Sequence, residues 1–107
     1  MTAPPAYPKG DLRRMLSVLA AIDSLGDDAT VVRISARSGV DRKTVTAIIA
    51  AAGEQAGVVI ETRAAAGVKS GTAYRIAFWG PVLKKKGAIL ALQGALNAHI
   101  IDDADSK

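Results

Sequence analysis

The spacing of apolar residues changes at Gly57, and that change constrains the fold more than any other feature of the chain. Before it, apolar residues recur three and four positions apart, the mark of amphipathic helices. After it, β-branched and aromatic residues gather in short alternating runs, the mark of strands. Leu12, Met15, Leu16, Leu19 and Ile22 give a first helical stripe, with Asp11 placed to cap it and Gly26 to end it in a left-handed turn. "DDAT" reads as a loop in which Thr30 can cap a short second helix, "VVRISARSG". That helix turns Val31, Ile34 and Ser35 inward and Arg33 and Arg37 outward, and stops at Gly39. Asp41 then caps a third helix from Arg42 to about Ala56, with Val45, Ile48, Ile49 and Ala52 as its apolar stripe.

Two strand-like runs follow, "VVIETRA" and "TAYRIAFW". The second alternates, with Tyr74, Ile76 and Phe78 on one face and Arg75 and Ala77 on the other. Arg63 and Arg75 are expected either to pair across the hairpin's outer face, near Glu61, or to support the wing's charge. "AAGVKSG" between the runs reads as a hairpin tip. Pro81 suits the first position of a last helix, covering about Val82 to Ile101. The expected fold is mainly α with a small antiparallel β-hairpin. Residues 1–10 form a proline-rich mobile arm, 11–80 the domain, 81–101 a C-terminal helix and 102–107 a polar tail.

Composition removes several kinds of function. A chain of 107 residues is one domain's worth, and half of it is apolar, so it can bury a core. Aromatics are only 4%, so that core is built from Ala, Val, Ile and Leu. With no cysteine there are no disulfides, thiolate metal sites or cysteine nucleophiles. The single histidine, His99, cannot make a multi-histidine metal site, and reads as a solvated or interface side chain. No pair of carboxylates is placed for acid–base chemistry, and "GVKS" lacks the spacing and context of a phosphate-binding loop. No enzyme activity, cofactor or metal is expected. The most apolar stretch, Gly87 to Ile101, is short and carries Gln93, Asn97 and His99, so no membrane span is expected. "MTAPPAYPKG" does not read as a secretory signal, and a cytoplasmic location is expected. The net charge of +4 invites a polyanion as partner.

The residues around Gly39 narrow the choice. Ser35 is small enough for two helices to cross closely, and Gly39 supplies the positive φ of a tight turn. Val40 fills the gap, Asp41 caps, and Val45 and Ile48 anchor the third helix so that its other face points outward. With Ile34 and Thr44 they make a pattern that, followed by a hairpin, resembles the winged helix-turn-helix DNA-binding domain of bacterial transcriptional regulators. The resemblance spans about Leu12 to Phe78, and departs from the family in having Ser35 where alanine is usual. It implies three helices and a β-wing, with the third helix entering the major groove of double-stranded DNA. The outward set there is Arg42, Lys43, Thr46 and Ala47, with Thr44 at the margin. Arginine and lysine can reach guanine edges or phosphates, and a threonine methyl can meet a thymine methyl. Solvated charges are the alternative for Arg42 and Lys43. Stability alone gives little reason for them, because cations at a helix N-terminus oppose its dipole.

At the wing tip, Lys69, Ser70 and the backbone of Gly67 and Gly71 are candidates for phosphate or minor-groove contact, against a solvated loop. Arg33 and Arg37 are either backbone contacts or a solvated face. The expected function is sequence-specific DNA binding by a small transcriptional regulator. A protein-interaction module and a non-specific architectural binder are the alternatives.

The last helix suggests a homodimer. Val82, Leu83, Ile89, Leu90, Leu92, Leu96, Ile100 and Ile101 cover more than one narrow stripe. Lys84, Lys85 and Lys86 sit in the first turns of this helix, and Asp102, Asp103 and Asp105 follow its end, so both clusters oppose its dipole. Antiparallel pairing of two copies would set each lysine cluster against the partner's acidic tail; a solvated lysine run is the alternative.

Overall fold

Each helix of the N-terminal half starts on the capping residue its sequence predicts. The computed structural model describes residues 7–64 and 71–95. Helix α1 spans Leu12–Leu25, and the Asp11 carboxylate accepts the Arg13 N–H at 2.8 Å. Helix α2 spans Val31–Ser38, with Thr30 Oγ1 accepting the Arg33 N–H at 3.3 Å. Helix α3 spans Arg42–Ala56, with Asp41 Oδ2 accepting the Thr44 N–H at 3.0 Å. Gly39 and Gly57 close α2 and α3 in the left-handed conformation, at φ 75° and 69°. Gly26 departs from this expectation. Its φ is positive but its ψ is −123°, and the chain passes into a 3-10 turn, Gly26–Asp28, instead of closing α1 with a left-handed cap.

Helix α1 is the centre of the molecule. Eight consecutive residues, Met15 to Ile22, are buried, so burial runs around the helix and not along a stripe. The cause is packing from two sides, with α2 and α3 against one face and a C-terminal helix against another. Leu12 departs from the expected stripe and is 57% exposed, because it lies in the first turn, ahead of the buried run. Ile34, Val40, Val45, Ala52 and Val58 complete the main core. Ser38, which periodicity passes over, is buried in the turn. Its hydroxyl donates to the Ile34 carbonyl at 2.7 Å and accepts the Val40 N–H at 3.3 Å.

Strands β1 (Val59–Ala64) and β2 (Thr72–Phe78) pair antiparallel, with Glu61 opposite Arg75 and Thr62 opposite Tyr74. Tyr74 and Ile76 pack against the core as the alternation predicts. Phe78 does not, and is 57% exposed. The register shifts between Val59 and Ile60, leaving Ala77 as an extra residue in β2, and this bulge breaks the alternation before Phe78. Thr30 forms an isolated bridge to Ala73, and the Tyr74 N–H donates to the Ala29 carbonyl at 2.9 Å. The loop before α2 thereby holds β2 on its side away from β1.

The C-terminal helix is shorter than expected at both ends. Helix α4 spans Lys85–Leu92, so Pro81 is not its first residue. Gly80 takes φ 85° so close to the end of α3 that a Cβ there would lie 2.5 Å from the Ala56 carbonyl oxygen. Trp79 to Leu83 form the turn this approach requires, and the helix starts only after it. Gly94, at φ 76°, turns the chain after Leu92; the expected continuation over residues 96–101 lies outside the described residues. Helix α4 runs antiparallel to α1. Lys85 pairs with Asp23 near the end of α1, while the Tyr7 hydroxyl, ahead of α1, donates to the Ala91 carbonyl. Leu16 and Ala20 of α1 meet Ala88 and Ala91 of α4, small residues that allow a close crossing. Tyr7 also lies beneath the Arg13 guanidinium, 4.6 Å from the ring centroid, and so contacts both α1 and α4.

Candidate nucleic-acid interface

Helix α3 divides as its periodicity predicts. Val45, Ala52 and Ala56 are buried, and Ile48 and Ile49 are half-buried against the core. The other face, Arg42, Lys43, Thr46, Ala47 and Ala50, is exposed. Thr44 sits between the two and is half-buried. Both its N–H and its hydroxyl donate to Asp41, the hydroxyl at 2.7 Å, so Thr44 completes the cap. The Thr46 hydroxyl donates to the Arg42 carbonyl one turn back, at 3.2 Å.

Charge is distributed unevenly. The Asp41 carboxyl is held below its ordinary pKa, chiefly by the Thr44 hydroxyl and N–H, with a smaller contribution from Arg14 at 3.8 Å. Five ion pairs join described residues: Arg13–Asp11, Arg14–Asp41, Arg63–Asp27, Arg75–Glu61 and Lys85–Asp23. None involves Arg33, Arg37, Arg42 or Lys43, all of which are exposed. Arg37 lies in the last turn of α2, where the helix dipole favours a cation. Arg42 and Lys43 lie in the first turn of α3, where it does not, and that turn carries no acidic residue.

The sheet contributes less free charge than its sequence suggests. Arg75 pairs with Glu61 across the strands, the neighbourhood the sequence predicts, and Arg63 reaches Asp27 in the 3-10 turn. Lys69, Ser70 and Gly67 lie outside the described residues. The arrangement therefore brings Arg42, Lys43, Thr46 and Ala47 together on one surface, places Arg33 and Arg37 on the preceding helix, and assigns Thr44 to the cap. Sequence reasoning missed Ala50, which lies one turn after Thr46 and Ala47; simple periodicity from Val45 identifies it.

Around α4, Lys85 is engaged within its own chain, whereas Lys84 and Lys86 have no ion pair among the described residues. Val82 and Ile89 are exposed, while Leu83, Leu90 and Leu92 are half-buried. Leu96, His99, Ile100, Ile101 and the acidic tail lie outside the described residues. Tyr74 and Trp79 are packed against the core. Among the described residues no group of three or more His, Asp or Glu side chains is placed to hold a metal ion, and no helix is long and apolar enough to cross a membrane. No protein-family model, curated protein or solved structure matches the chain.

Proposed function

We propose that this chain is a winged helix-turn-helix module that binds double-stranded DNA as a small transcriptional regulator, inserting the N-terminal half of α3 into the major groove. One observation carries the reading. Acidic residues pair with both cations of α1, both of the sheet and Lys85 of α4, while the four cations of α2 and α3 have no acidic partner among the described residues. Two of these sit where the helix dipole opposes them, and a phosphate or guanine edge opposite them removes that conflict. Arg42, Lys43, Thr46 and Ala47 form the groove-facing set. Arg33 and Arg37 approach the backbone. Lys69 and Ser70, outside the described residues, remain candidates for phosphate contact.

Exposed Ile89 of α4 and Val82 just before it are the apolar surface for a homodimer, which doubles the length of DNA read. Light scattering at high protein concentration tests this part: a dimer is expected, and a monomer overturns it. Duplex binding at two salt concentrations tests the whole. The wild-type chain is expected to select particular sequences, with affinity falling steeply as salt rises. A steep salt slope without sequence preference favours an architectural binder. No binding at low salt overturns the reading and leaves a protein-interaction module.

A further inference from the structure

The exposed face of α3 offers unusual chemistry for reading bases. From Arg42 to Ala50 its exposed side chains are two cations, one threonine and two alanines. Adenine is ordinarily read by Asn or Gln and the cytosine amine by Asp or Glu. None of these is exposed over this stretch. Each threonine hydroxyl spends its one proton within the chain and keeps only acceptor capacity. Thr44 donates its proton to Asp41, and Thr46 donates to the Arg42 carbonyl. With the Thr46 proton committed to its own helix, the methyl group is the apolar part of the side chain left to meet a ligand. The methyls of Ala47 and Ala50 flank it, and such short side chains let the helix backbone approach a groove floor closely.

From this we infer that α3 recognises the 5-methyl group of pyrimidines in the major groove, with Thr46 as a specificity-determining residue and Arg42 and Lys43 holding the flanking guanine or phosphates. The inference rests on the DNA-binding reading above. The cationic rim suits the polyanion, and the apolar centre suits the one apolar group a base pair presents in that groove. Thymine and 5-methylcytosine both carry it.

The test begins by selecting the tightest duplex from a random pool with the full chain. Thymines in the bound site are then replaced by uracil, and cytosines by 5-methylcytosine. Each methyl that α3 touches is expected to change affinity about fourfold, always in favour of the methylated base. An effect in both pairs supports the shared methyl as ligand; an effect confined to thymine against uracil supports it with thymine as the source. Thr46→Ser keeps the hydroxyl bond to Arg42 and removes the methyl, so it is expected to reduce the thymine–uracil difference without changing the salt slope. Equal wild-type affinity for thymine and uracil duplexes overturns the inference and leaves DNA binding standing. A Thr46→Ser variant with the full thymine–uracil difference also overturns it. Failure to select any duplex overturns the parent reading, and this one with it.

Discussion

Helices α1 and α3 are nearly equal in length, yet they are used in opposite ways. In α1, Met15 to Ile22 are buried without a break, and its cations are paired, Arg13 with Asp11 and Arg14 with Asp41. In α3 only Val45, Ala52 and Ala56 are buried, and Arg42 and Lys43 have no ion-pair partner among the described residues. Alanine serves both helices differently. Ala20 lets α4 approach α1, whereas Ala47 and Ala50 leave α3 smooth on its exposed side. One helix is therefore a scaffold, and the other is held by a few anchors so that its remaining surface stays available. The connection is direct: Arg14 of α1 reaches the carboxylate that caps α3.

The comparison breaks if the two helices respond alike to truncation. Leu19→Ala empties a fully buried site and is expected to cost about 3 kcal/mol in urea unfolding. Thr46→Ala on the exposed face of α3 is expected to cost less than about 0.5 kcal/mol. Gly80→Ala probes the junction between α3 and α4. A left-handed-side φ and a carbonyl in the path of the new Cβ predict a loss of about 2 kcal/mol.

The cap of α1 adds a pH test. Asp11 is lowered from 3.8 to about 2, first by the hydrogen bond from the Arg13 guanidinium and then by that from the Arg13 N–H. Because the folded-state pKa is depressed, the stabilisation is present above the unfolded value and lost as pH falls toward the folded one. Asp11→Asn keeps a capping oxygen and removes the charge. Its Tm is expected to lie below wild type near neutrality and to converge with it between about pH 4 and pH 2. The smallest effect is at Ser17. Its hydroxyl is buried in α1 with no hydrogen-bond partner among the described residues, so Ser17→Ala is expected to leave the unfolding free energy unchanged or slightly raised.

What the sequence made legible was local. Asp11, Thr30 and Asp41 start helices, and Gly39 and Gly57 end them, because each satisfies a backbone requirement of its immediate neighbours. The exposed set on α3 followed from the period around Val45. Features set by distant parts of the chain were not legible. The bridge from Thr30 to Ala73 involves one residue on each side and leaves no pattern. The bulge that exposes Phe78 depends on its partner strand. Pro81 carries a helix-start signal, but the approach of Gly80 to Ala56 takes up the next turn and delays α4 to Lys85. Likewise, nothing along the chain marks Asp27 as the partner that engages Arg63. The division between paired and unpaired cations, on which the functional reading stands, needed the fold.

That division is tested most directly by the salt dependence of duplex binding for the wild-type chain and the Arg42→Ala/Lys43→Ala double variant, with thermal unfolding measured in parallel. The double variant is expected to be as stable as wild type or slightly more so, since it removes two cations from a helix N-terminus. Its affinity at low salt is expected to fall at least about tenfold, and its salt slope to be shallower by about one unit for each phosphate that Arg42 or Lys43 neutralises in the wild-type complex. Unchanged affinity and slope, with wild-type binding intact, would contradict the assignment of α3 as the DNA-facing helix.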